Sequence, residues 1–182
     1  LSTQNNKLNE SFLDILFQGL SKEGGLYLPS KWPKIDINTL RDKSYEEVAL
    51  HIIYPFIENE ISKDDLYQII HLAYNKFKHP KIAPLVNIQH NKHILELFYG
   101  PTLAFKDYAL QFLGELFSYA MKERNKKITV LGATSGDTGS AAIEAFKDKE
   151  NINVFILHPH NKVSEVQRRQ MTSVLNKNIF NI

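Results

Sequence analysis

From Ile128 to the C-terminus, short apolar runs alternate with helical patterns, and this alternation constrains the fold more than any other feature. Ile128-Thr-Val-Leu131 and Val154-Phe-Ile-Leu157 read as strands. A helical pattern from about Asp137 to Lys147 separates them, Ser164 to Leu175 forms the next helix, and Asn178 to Ile182 begins a further extended run. Strands joined through helices are joined in parallel, because a parallel pair needs a long crossover. The result is an open α/β sheet. Upstream, a helical pattern runs from about Thr102 to Arg124, and Leu85–Ile88 with His93–Phe98 reads as a hairpin around His90-Asn91. The last strand has no helix after it to cover it, and roughly three crossover strands stand where about five or six are usual. The sheet is therefore expected to be incomplete, as the front part of a larger protein; the alternative is a frayed C-terminal tail.

Residues 1–84 differ in character and read as a mostly helical domain, with 85–182 as the first part of an α/β domain. Ser11 can cap a short helix carrying Phe12, Leu13, Ile15, Leu16 and Leu20, and Gly24-Gly25 precedes the extended run Leu26-Tyr27-Leu28-Pro29. Ser44 opens a second helix through Val48, Leu50, Ile53 and Phe56. Ser62 opens a third, with Leu66, Ile69, Ile70, Leu72 and Phe77 on its apolar side. Pro80 and Pro84 punctuate the boundary.

Composition narrows the partners. The 182 residues hold 22 Lys+Arg and 20 Asp+Glu, a net charge of +2. That balance excludes nucleic acid or an anionic membrane as the main partner. Cysteine is absent, which removes disulfides, thiolate metal sites and a cysteine nucleophile and suits a reducing cytoplasm. No run approaches the ~18 apolar residues of a membrane span. His90/His93 and His158/His160 are close pairs without a nearby carboxylate or cysteine, so no metal site is expected.

Two features carry chemistry. With Thr102 as N-cap, Lys106 falls in the first turn and a half of its helix. Asp107, Gln111, Gly114, Glu115 and Ser118 form one polar stripe, and Lys106 is not on it. Its helical neighbours are Ala109, Leu110, Leu113 and Phe117. Burial and the positive end of the helix dipole both disfavour an ammonium, as a nucleophilic amine requires. The alternative is a lysine that snorkels past the helix start into water. The second feature is the turn Gly132-Ala-Thr-Ser-Gly-Asp-Thr-Gly139 between strand and helix. Its glycines admit close backbone approach, its amides suit an anion, and Thr134, Ser135 and Thr138 add hydroxyls. It is neither a P-loop nor a dinucleotide fingerprint, since the lysine and the glycine spacing are wrong. The competing reading is a tight turn with Asp137 or Thr138 as N-cap.

Together these features resemble a known family. Gly100-Pro-Thr-Leu-Ala-Phe-Lys-Asp107 followed by Ala133-Thr-Ser-Gly-Asp-Thr-Gly-Ser-Ala-Ala142 resembles the threonine synthases, among the fold type II pyridoxal-phosphate enzymes. Gly24-Gly-Leu-Tyr-Leu-Pro29 is similar to that family's amino-terminal signature, and His158 to Met171 to a later stretch, so the similarity spans the chain in order. The resemblance implies that Lys106 carries pyridoxal 5'-phosphate and moves protons. It implies that Thr134, Ser135, Gly136 and Thr138 hold the substrate carboxylate. Asp137 stands where related enzymes have an asparagine near the cofactor's ring oxygen, and aspartate there is the threonine synthase pattern.

The implied reaction converts O-phospho-L-homoserine and water into L-threonine and phosphate, in the cytoplasm. Lys162, Arg168 and Arg169 are candidates for the departing phosphate by charge alone. The loop for the cofactor's phosphate and the partner of its pyridine nitrogen would lie outside these residues, so this chain by itself is expected to be inactive. The rivals are another lyase of the same cofactor class, such as a threonine dehydratase, and a non-catalytic anion-binding α/β module.

Overall fold

A computed structural model describes residues 1–7 and 9–182. The chain divides into two compact units, Leu1–Gln68 and Ile69–Ile182. The division falls inside a helix, Lys63–Tyr74. The end of that helix belongs to the second unit: Tyr74 Oη donates to Tyr108 O (2.8 Å), and the Phe77 and Tyr108 rings meet edge to face at 4.8 Å.

In the first unit, α1 (Phe12–Ile15) is a single turn. Ser11 Oγ accepts the Asp14 amide, and the Glu60 carboxylate takes the Phe12 and Leu13 amides, so three of the orphan donors at its start are satisfied. The apolar pattern extends to Leu20, but Gly19 at φ +66° turns the chain away and leaves Leu20 exposed. α2 (Tyr45–Ile57) opens on a capping box between Ser44 and Glu47, as its sequence suggests. α3 (Lys63–Tyr74) starts where Ser62 Oγ accepts the Asp65 amide. Leu66, Ile69 and Ile70 are buried. Leu72, placed by the pattern on the same side, is exposed, because two residues turn it about 200° from Ile70.

The second unit continues into the hairpin β1 (Leu85–Gln89) and β2 (Lys92–Leu95), antiparallel with Leu85 opposite Leu95. Asn91 supplies the left-handed turn residue at φ +57°. Next in order come α4 (Asp107–Arg124), β3 (Ile128–Ala133), α5 (Asp137–Phe146), β4 (Ile152–Leu157), α6 (Glu165–Thr172) and β5 (Ile179–Asn181). The three strands form a parallel sheet in the order β3-β4-β5, with Val130 opposite Val154 and Val154 opposite Ile179. The expected crossover sheet is therefore present.

One face of the sheet is covered. Ile152, Val154, Ile156 and Ile179 are buried with Ala142, Ile143 and Phe146 of α5 and Met171 of α6, and Leu110, Leu113 and Phe117 of α4 pack against the cluster. The strands alternate accordingly, and Leu131, Leu157 and Phe180 on the other face stay exposed. Among the described residues, no helix is long and apolar enough to cross a membrane.

α4 does not use its polar stripe as its wet side. Asp107, Gln111, Gly114 and Glu115 are all buried. Glu115 is paired with Lys149 and, at 3.5 Å, with Lys76, which is how a carboxylate is tolerated there. Gly114 marks the crossing with α5, since a Cβ would lie 2.4 Å from the Ala145 carbonyl oxygen. Gly114→Ala is expected to force the two helices apart and lower stability by about 1–3 kcal/mol. Denaturant unfolding at unchanged m-value measures it, and an unaltered midpoint would contradict the crossing.

Candidate functional site

The site grows from the loop between β2 and α4. Thr102 does not cap α4, which begins at Asp107 with Lys106 as its N-cap residue and no side-chain cap. The reason is that Thr102 is already engaged elsewhere. Its amide and its hydroxyl both donate to the Asp107 carboxylate, each at 2.8 Å. A Cβ on Gly100 would lie 2.4 Å from Asp107 Oδ2, so only glycine fits beneath that carboxylate. Leu103 N–H donates to Gly100 O at 3.1 Å, and Leu103 takes φ +65°. A leucine held in the left-handed region is strained, and such strain persists only where surrounding bonds over-determine it. It sits three residues before Lys106.

Lys106 is half-buried, which agrees with neither full burial nor free exposure. Its Nζ lies 4.5 Å from the centre of the Phe105 ring. Among the described residues it has no hydrogen bond or ion pair, so the amine is uncommitted. Along the helix, Leu110 and Leu113 from the same column pack toward the sheet core.

The turn after β3 is the second component. Thr134 Oγ1 accepts the Gly136 amide at 3.1 Å, so this hydroxyl is spent within the turn. Ser135 and Thr138 are exposed, Asp137 is half-buried and Gly136 is buried. Gly136 is the N-cap residue of α5, without a side-chain cap, which removes Asp137 and Thr138 from that role. Their side chains are thereby left for other work. The glycines answer first to the chain's own packing. A Cβ on Gly139 would meet Thr134 Cγ2 at 2.4 Å and Met171 Sδ at 2.6 Å, and one on Gly136 would meet the Gln167 amide at 2.7 Å.

α6 ties the two components together. Gln170 Nε2 donates to Thr102 O at 3.1 Å, and Gln167 Nε2 donates to Asp137 Oδ1. Residues three apart on a helix are neighbours about 5–6 Å apart, so the lysine-bearing loop and the turn are held on one face of α6. Sequence reasoning did not identify Asp107, Gln167 or Gln170 as site residues. Their only advance signal was an aspartate in the first turn of α4 and two glutamines spaced by three in α6.

Of the basic candidates, Lys162, Arg168 and Arg169 are all exposed. Arg168 and Arg169 are both paired with Glu165, at 2.9 and 2.8 Å. Their hydrogen bonds, Arg168 first, lower the Glu165 carboxyl to about 2. Among the described residues no cluster of three or more His, Asp or Glu could hold a metal ion.

The arrangement offers an uncommitted amine, two exposed hydroxyls and the first amides of α5, whose dipole favours an anion. That donor set fits an aldehyde-bearing cofactor held through an amine beside a carboxylate-bearing substrate. Asp107 is the vulnerable point. Burial raises its carboxyl above the ordinary aspartate range, against the opposing pull of the two Thr102 bonds. A carboxyl raised in the folded state contributes stability that is full below its unfolded value and declines as pH rises through the folded one. Wild type is therefore expected to lose stability relative to Asp107→Asn as pH rises through the range above the ordinary aspartate value. Denaturant unfolding across that range tests this, and parallel curves would refute it.

Residues 1–74 match the family model for the threonine synthase N terminus. The whole chain is 44% identical to threonine synthase of Pseudomonas aeruginosa, of which it spans 39%. Among solved structures, a pyridoxal-phosphate-bound threonine synthase from Brucella melitensis superposes with a TM-score of 0.90 at 47% identity, over 94% of this chain and 38% of that one. Threonine synthase from yeast superposes with a TM-score of 0.94 at 41% identity, over 100% and 39%. The chain thus spans about 39% of the length of the curated relatives it matches.

Proposed function

Because this chain belongs to the threonine synthase family, we propose that it supplies the reactive lysine and the carboxylate-binding turn of a threonine synthase, forming L-threonine and phosphate from O-phospho-L-homoserine and water. The observation that carries this is the uncommitted Lys106 amine at the end of a loop that α6 ties down at Thr102, while the same helix ties down Asp137 at the start of α5. Residues 85–182 are, in this reading, the first part of the cofactor-binding domain, and residues 1–84 the amino-terminal helical domain.

Lys106 would hold pyridoxal phosphate through Nζ, with Asp137 beside it. The cofactor, when bound, supplies an electron sink for proton loss from the carbon bearing the substrate's amino group and from its neighbour. Lys106 Nζ is the group that takes and returns those protons, and its half-buried position limits exchange with water. The Ser135 and Thr138 hydroxyls and the open amides at the start of α5 bind and orient the substrate carboxylate. Gly136 allows the turn to sit there, and Thr134 fixes its shape. Since Arg168 and Arg169 are engaged with Glu165, Lys162 is the basic residue left to meet the departing phosphate. Small-molecule chemistry of this kind needs neither nucleic acid nor membrane, and the reading carries with it a cytoplasmic location.

The test is made in the full-length polypeptide that contains this chain. Threonine and phosphate are expected from O-phospho-L-homoserine, and Lys106→Ala should lower the rate by about a thousandfold or more. Formation of 2-oxobutanoate from threonine as the main activity would point instead to a dehydratase. A protein that loses nothing with Lys106→Met would be a binding module.

A further inference from the structure

Gln167 is held from three sides. Its backbone amide donates to Ser164 Oγ at 3.4 Å, and the Ser164 hydroxyl donates to Gln167 Oε1 at 3.0 Å. Its Nε2 donates to Asp137 Oδ1. These demands agree on which end of the amide faces which partner, since a carboxylate oxygen requires a donor and the serine proton requires an acceptor. A Cβ built on Gly136 would stand 2.7 Å from Cδ, Nε2 and Oε1 alike, so the amide lies face-on against that glycine. One side chain therefore touches both the backbone at the N-cap of α5 and the carboxylate next to it. Asp137 Oδ2, among the described residues, has no partner.

We propose that Gln167 is a positioning residue of the site. It occupies Asp137 Oδ1, leaves Oδ2 to accept from a donor on the bound ligand, and fixes Gly136 so that the first amides of α5 stay aimed at an anion. The inference rests on the functional reading above and adds to it a residue outside both motifs.

The experiment uses the full-length protein, with pyridoxal phosphate affinity read by absorption titration and the melting temperature of the cofactor-free protein read separately. Gln167→Glu keeps the shape against Gly136 but sets carboxylate against carboxylate. It is expected to weaken cofactor binding about tenfold or more, with the cofactor-free melting temperature changed by less than about 4 °C. Adding Asp137→Asn reverses the polarity of the pair, so that the side-chain amide at position 137 donates and the carboxylate at position 167 accepts. The double variant should bind several-fold more tightly than Gln167→Glu alone, and more tightly than additivity from the Asp137→Asn single variant allows. Wild-type affinity in Gln167→Glu would overturn the proposal. So would a weakening matched by collapse of the cofactor-free protein and not rescued by Asp137→Asn, since that is a merely structural contact. A wild-type protein that takes up no cofactor at Lys106 would defeat the functional reading itself, and this inference with it.

Discussion

Asp107 is fully buried at the start of α4, and its two oxygens take the amide and hydroxyl of Thr102. An unpaired carboxylate in that place would be expensive, so the loop must close on it. Closing the loop requires a glycine at 100, forces Leu103 into a left-handed conformation and ends with Lys106 just outside the helix. The lysine's position is therefore a consequence of its neighbour's burial. It is not set by a cap at Thr102, nor by a hydrogen bond or ion pair of the amine, which has none among the described residues.

The same loop reaches the rest of the site through α6. Thr102 is bonded through its side chain to Asp107 and through its carbonyl to Gln170, and three residues away on that helix Gln167 takes hold of Asp137. Met171 fills the space left by Gly139, and its side chain is buried in the core under the sheet. The two chemical components are about thirty residues apart in sequence, yet one two-turn helix sets their spacing. Preorganisation of this kind costs stability locally, in a strained leucine and a buried carboxylate, and it leaves the Lys106 amine without a hydrogen bond or ion pair among the described residues.

Much of this was legible in the sequence. The period of the apolar residues located the strands and helices of the sheet, and Ser44 and Ser62 marked true helix starts because capping is a local interaction. The parallel order came from crossover lengths. The failures share a cause. Thr102 looked like a cap because its alternative partner, Asp107, was one member of a polar stripe; that stripe is buried because Gly114 lets α4 press against α5 and because Lys76 and Lys149 neutralise Glu115. Leu20 and Leu72 obeyed the apolar pattern yet are exposed, since pattern alone does not say where a helix stops or which face is covered. The glycines of the turn signalled close approach correctly, but what approaches Gly136 and Gly139 is the chain itself. Long-range partners such as Gln167 leave no local periodicity by which they could be found.

Lys106 is the residue through which, on the reading proposed above, this fold holds pyridoxal phosphate. The most direct measurement is borohydride reduction of the cofactor-loaded full-length protein, followed by peptide mapping of the attached group. One attachment is expected, on Lys106, at close to one cofactor per chain, and its loss in Lys106→Ala. Attachment elsewhere, such as on Lys162 or scattered over the exposed lysines, would contradict it.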